Sequence, residues 1–176
     1  FDSPLAIDAL KIYHDFPEYY DHDAAALRQA GDDFFKFPGL HITRSADESH
    51  AIINTLPPKV IIAGSGMMHG GRIMHHLVEY LNDRKTTVLV VGYQSAGTIG
   101  RAVLEGAHKV HIEHHEIIVR AQVEAIGAYS AHADQNKLLK WVASGLSMPK
   151  HVYLNHGESH ASESLADAIM SQKNLP

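Results

Sequence analysis

Cysteine is absent from this 176-residue chain. That excludes disulfides and every thiolate metal site, so histidine and carboxylates are the strong metal donors left. With it goes the usual mark of an oxidising compartment, and a cytoplasmic location is expected. Long apolar runs are missing too: stretches such as Val88-Leu89-Val90-Val91 fall far short of the ~20 residues a spanning helix needs. No charged-then-apolar leader opens the sequence, so no secretory signal is expected. Nor is there an excess of positive charge. Fifteen Lys and Arg against 20 Asp and Glu give a net −5, which excludes a chain-wide cationic surface as the basis of nucleic-acid binding.

Histidine is what the chain has in quantity, 15 residues, enough to make metal or acid–base chemistry worth pursuing. With 45% hydrophobic and 20% charged residues the composition is that of a globular protein, of one domain or slightly more by length. The chain begins at Phe1 rather than Met and stops at Pro176, and is expected to be part of a longer polypeptide.

Ser3-Pro4 is a good helix opening, followed by Leu5, Ala9, Ile12 and Phe16 on one face until Pro17. A second helix is predicted over residues 24–30, an ordered loop with Phe34, Phe35 and Phe37 over 32–38, and a short strand over 40–42. Ser45-Ala46-Asp47-Glu48 matches a capping box. Buried strands are then predicted at 60–63 and 87–91, each running into a glycine-bearing loop and a helix, 72–81 and 98–105. Apolar strands alternating with helices predict a parallel sheet covered on both faces, a three-layer α/β arrangement. From 109 to 128 the pattern changes to two or three antiparallel strands without helices. A helix over 134–144, a strand over 152–154 and a helix over 159–170 follow.

The loop Gly64-Ser65-Gly66-Met67-Met68-His69-Gly70-Gly71 ends a strand and opens a helix, a setting whose backbone amides suit phosphate. A dinucleotide cofactor is the alternative, but the next strand ends Val91-Gly92-Tyr93-Gln94, without the acid that would hold a ribose. A plain tight turn is the other. The second loop, residues 92–101, repeats the arrangement, and both would share one rim of a parallel sheet. His111, His114 and His115 read best as a solvated hairpin tip, and His75 and His76 with Glu79 as a surface helix face. His132 and His156 each stand at a strand-to-helix passage, in Ser130-Ala131-His132-Ala133-Asp134 and Asn155-His156-Gly157-Glu158. That placement suits acid–base groups or ligands, although two half-buried structural histidines would occupy it equally well.

These blocks resemble the β-CASP branch of the metallo-β-lactamase fold. Ser130-Ala131-His132-Ala133-Asp134 is similar to its motif B and Asn155-His156-Gly157-Glu158 to its motif C. Gly64-Ser65-Gly66-Met67 with Gly71-Arg72 and His75 resembles its glycine loop, Gly92-Tyr93-Gln94 with Gly97-Thr98-Ile99-Gly100-Arg101 its next block, and Asp2-Ser3-Pro4-Leu5-Ala6 its opening helix. The resemblance implies a β-CASP domain over residues 1–127 and the C-terminal strand–helix part of a metallo-β-lactamase domain over 128–176. It implies a zinc-dependent nuclease with two metal ions, His156 as a zinc ligand, His132 as an acid–base group, and Gly64, Ser65, Gly66 and Ser130 against RNA phosphate. Histidine in motif C points to RNA, and the glycine loop to the endonuclease group that includes the cleavage and polyadenylation endonuclease. The family's His-x-His-x-Asp-His motif is missing; Asp21-His22-Asp23 is the nearest stretch. Most zinc ligands would therefore come from an N-terminal lactamase part of the same polypeptide, and this chain alone is expected to be inactive. A homo-oligomer is compatible with the resemblance. The rival reading is a non-catalytic RNA-binding or assembly subunit of an RNA-processing complex; retention of both motif histidines counts against it.

Overall fold

Ser3 stands at the N-cap position without a side-chain capping bond and Pro4 opens α1 (Pro4–Asp15), a helix that buries only Ile7. Asp21 accepts from the Ala24 amide to start α2 (His22–Gln29). Ser45 and Glu48 form the predicted capping box of α3 (Ala46–Ala51). Then come α4 (Ile73–Tyr80), β1 (Thr87–Val90), α5 (Ile99–Leu104), β2 (Lys109–Ile112), β3 (His115–Ile118), β4 (Gln122–Ala125), α6 (Gln135–Ala143) and α7 (Ser159–Ser171). This computed structural model describes residues 1–33, 35–127, 132–145 and 149–171. Phe34 of the predicted ordered loop lies outside them.

The architecture is mixed α/β with parallel strand pairing. β1 and β4 run parallel, with Thr87 opposite Gln122 and Val90 opposite Ala125. The stretch predicted as consecutive antiparallel strands is only half so. β2 and β3 form an antiparallel hairpin, with Glu113 in the left-handed region at its turn. β4 leaves that hairpin because the amides of Arg120 and Ala121 both donate to the Leu81 carbonyl, turning the chain onto β1.

Two other predicted strands do not form: 60–63 makes only an isolated bridge at Ala63, with Val60 and Ile62 exposed rather than buried, and 40–42 is not a strand. Their partner among the described residues is the short segment Phe1–Asp2. Asp2 forms a parallel bridge with Ala63 and donates to the Ile62 carbonyl at 2.8 Å, while the Thr43 amide donates to the Phe1 carbonyl at 3.1 Å. A two-residue edge cannot support a ladder along the whole of 60–63 or 40–42. The predicted strand at 152–154 has no ladder partner among the described residues, and its Tyr153 is exposed.

The chain divides into two units, Phe1–Ala125 and Ile126–Pro176. The core belongs to the first. Leu77 and Leu81 from α4 and the turn after it, Val90 from β1, Val103 from α5, and Val110 and Ile112 from β2 are all buried there. β2 alternates exposed Lys109 and His111 with buried Val110 and Ile112, the two-residue period of a half-covered strand. In the second unit Asp134 caps α6 through the Lys137 amide, Gln135 reaches the Ser164 carbonyl of α7, and Leu139 is the one buried hydrophobic side chain among the described residues. No helix is long and apolar enough to cross a membrane among the described residues.

Candidate functional site

The first glycine loop is stitched to the protein by its carbonyls. The Gly64 carbonyl accepts from the Ile73 amide at 3.0 Å and so closes the start of α4, and the Ser65 carbonyl accepts from Met68 at 3.0 Å. Gly71 adopts φ +71°, and a side chain there would press on the Gly64 carbonyl, so this return needs glycine. The Met67 carbonyl accepts from the Gly100 amide, and the Gly66 carbonyl from the Gln94 side chain. The two glycine loops are thereby one structure. Thr98 caps α5 by accepting from Arg101, and the Gly100 amide is spent on Met67. The N-terminal turn of α5 therefore serves the loop.

What the stitching leaves over is a run of amides. The N–H groups of Ser65, Gly66 and Met67 have no acceptor among the described residues, and all three residues are exposed. A Cβ built at Gly66 would meet nothing within 4 Å, so this side of the loop is open. Consecutive unspent amides on an open glycine turn form an anion-binding concavity.

Behind the loop stands Asp2, fully buried and held by four side chains. Arg72 and Thr43 donate to Oδ1, and Ser49 and His76 to Oδ2, the last at 2.7 Å. Burial works against its ionisation, but the hydrogen bonds from Ser49, Thr43, His76 and Arg72 outweigh it and hold the carboxyl well below the usual carboxylate range. An ionised carboxylate only accepts, so His76 carries its proton on Nε2 and the Ser49 hydroxyl is committed to Asp2. Ser49 is then an acceptor for His75 Nε2 at 3.1 Å. Burial, followed by the neighbouring His76 and His50, pushes the His75 pKa below its ordinary value. The expected surface helix face is corrected here: His76 is buried and His75 partly so, because Asp2 reaches them from the other end of the unit.

Asp2, His75 and His76 are also the one trio of metal-donor residues whose ligand atoms lie within 4.8 Å of one another among the described residues. The donor set does not fit a resident cation. Both Nε2 atoms point protons, not lone pairs, into the cluster, and Arg72 already neutralises the carboxylate. The trio is a structural ion-pair network.

The other expected residues lie elsewhere. His132 and His156 are both exposed in the second unit, and neither belongs to a three-donor cluster among the described residues. His156 sits at φ +67°, its own amide bonded to Asn155 Oδ1. Its exposed imidazole is sterically available as one donor of a set completed from elsewhere, which is all the zinc fit this chain's geometry supports. Ser130 lies outside the described residues. His111, His114 and His115 occupy the β2–β3 hairpin, as read, with His111 3.5 Å from Glu116. Sequence reasoning missed Asp2 and Gln94. Their only signals were a buried-type acid before a helix-opening Ser-Pro and an amide where a dinucleotide site would have an acid.

Residues 116–175 match the Zn-dependent metallo-hydrolase RNA specificity domain. A ribonuclease of Thermus thermophilus is 36% identical over 157 residues, covering 89% of this chain and 36% of the relative. Transcription termination factor FttA of Methanosarcina mazei is 29% identical over 168 residues, 92% of this chain and 26% of the relative. An RNase J-like protein of Methanocaldococcus jannaschii is 33% identical over 133 residues, 76% of this chain and 30% of the relative. The chain thus spans about a third of these relatives' length. Residues 1–103 match the Beta-Casp domain, and with more than half its length in that match the chain belongs to the Beta-Casp family.

Proposed function

We propose that this chain is the RNA-binding and partial active-site portion of a zinc-dependent ribonuclease that hydrolyses RNA phosphodiester bonds, endonucleolytically, as part of a longer polypeptide. Residues 1–127 form its β-CASP domain and 128–176 the C-terminal part of its metallo-β-lactamase domain. The observation that carries the reading is the open run of amides at Ser65, Gly66 and Met67. It offers neutral, rigid donors for a phosphate in a protein whose net charge of −5 argues against broad cationic binding. The ribonuclease and RNase J-like relatives support RNA as the phosphate's source. The exposed, unpaired segment at 152–154 supports a covering surface from the rest of the polypeptide.

Within this reading Gly64, Ser65, Gly66 and Ser130 hold the RNA backbone. His156 donates one imidazole to the metal site, which when loaded with two zinc ions supplies the charge that acidifies water and offsets charge on the scissile phosphate. His132 holds the proton passed to the leaving oxygen. Binding of single-stranded RNA by the chain tests the central step. Ser65→Asp places an anion beside the loop amides and is expected to weaken binding by ~10-fold or more through repulsion and loss of donors. Unchanged affinity would contradict a phosphate at this loop.

A further inference from the structure

We infer that Gln94 is a positioning residue: by holding the Gly66 carbonyl it aims the Met67 N–H at the phosphate. The inference rests on the phosphate reading of the first glycine loop and adds to it the part that sets the donor's direction.

Gln94 is buried, 2% exposed, in the second glycine loop. Both hydrogens of its carboxamide nitrogen are used: Nε2 donates to the Gly66 carbonyl at 2.9 Å and to the Gly92 carbonyl at 3.1 Å. Its Oε1 is buried without a hydrogen-bond partner. A buried acceptor left unmet is a cost, and an apolar side chain of similar size would fill the space without it. The side chain's contribution must therefore lie at its donor end.

The donor end controls a peptide plane. The Gly66–Met67 bond is trans, and in a trans peptide the carbonyl and the N–H point in opposite directions. With the Gly66 carbonyl drawn to buried Gln94, the Met67 N–H points the opposite way, and Met67 is exposed. The following carbonyl, that of Met67, is drawn inward by the Gly100 amide at 3.3 Å. The space opposite is kept free for Gln94 by glycine: a Cβ on Gly100 would stand 1.7 Å from Oε1. Without the carboxamide donor no other group among the described residues fixes the Gly66 carbonyl, and a flipped peptide would present an acceptor to an anion where a donor is needed.

Two near-isosteric variants of the chain test this, Gln94→Met, which removes the donor, and Gln94→Glu, which replaces it by an acceptor. Each is titrated with inorganic phosphate at constant ionic strength while backbone amide resonances are followed. Affinity for an unstructured oligouridine is measured in parallel. In the wild type the Gly66 and Met67 amides are expected to move on titration. In both variants the Met67 response is expected to be lost in an otherwise native spectrum, with ~10-fold weaker RNA binding, the effect of one hydrogen bond to a charged group. A native-like variant whose Met67 amide still responds as in the wild type would overturn the inference and leave the phosphate reading intact. A wild-type titration that moves none of the amides at 65–67 would instead overturn the phosphate reading. Unfolding of both variants would assign Gln94 to the core of the fold and overturn its positioning role.

Discussion

Asp2 gathers Thr43, Ser49, Arg72 and His76 around one carboxylate, partners 41, 47, 70 and 74 residues away in the chain. That separation is why its role could not be read from local pattern, whereas the capping box at Ser45 and Glu48 could: both members lie within one turn. The same distance makes the network a lock on tertiary structure. Asp2→Asn keeps the shape but leaves Arg72 and His76 facing a neutral group, and is expected to destabilise the first unit by about 3–5 kcal/mol, the usual effect of breaking a buried pair. Denaturant unfolding at neutral pH measures it. The pH dependence has a definite sign. The folded Asp2 pKa is depressed, so its stabilisation is complete above the unfolded pKa of ~3.9 and is lost as pH falls below it. His75 is depressed as well, so the unfolded chain takes up its proton first, and stability begins to fall as pH drops through ~6.5. His75→Gln is expected to remove that first step and leave the acid one, in unfolding curves recorded from pH 8 to 3.

The two loop–helix passages and β1 were legible in the sequence because apolar runs, glycines and helix caps are local signals, whereas the strand expected at 60–63 is reduced to a bridge at Ala63. Thr98 capping α5 and Asp134 capping α6 stand where the sequence places them. Strand pairing is not local: β4 joins β1, not the β2–β3 hairpin, because two amides find the Leu81 carbonyl, which no periodicity encodes. The linkage between the glycine loops was equally hidden. Gly100 looks like a helix residue with no duty, yet it is buried against Gln94 and the Met67 carbonyl. Gly100→Ala forces the carboxamide out of its place, and is expected to cost about 1–3 kcal/mol by overpacking. Adding Gln94→Ser to Gly100→Ala is expected to recover part of that stability, because the 1.7 Å clash is with the removed carboxamide while the 3.0 Å approach to the Met67 carbonyl remains. Thermal unfolding of the single and double variants checks both statements, and a double variant no more stable than Gly100→Ala would place the strain elsewhere.

At the scale of the molecule the two units differ in kind. The first has a buried cluster spanning α4, α5, β1 and β2, while the second buries only Leu139 among its described hydrophobic residues and exposes Trp141 and Tyr153. Both motif histidines belong to that second unit. Neither belongs to a three-donor cluster among the described residues, so the metal site proposed above would be completed by residues outside this chain. A stable catalytic zinc ion needs three or more protein ligands, so under the proposed function the two histidines have separable roles in the longer polypeptide. The most direct measurement is zinc content and RNA cleavage rate, side by side, for His156→Ala and His132→Ala in that polypeptide. Less bound zinc is expected for His156→Ala, and for His132→Ala full zinc with a rate lower by roughly 10²–10⁴, the range of general acid–base catalysis. Full zinc and undiminished cleavage in both variants would contradict these roles.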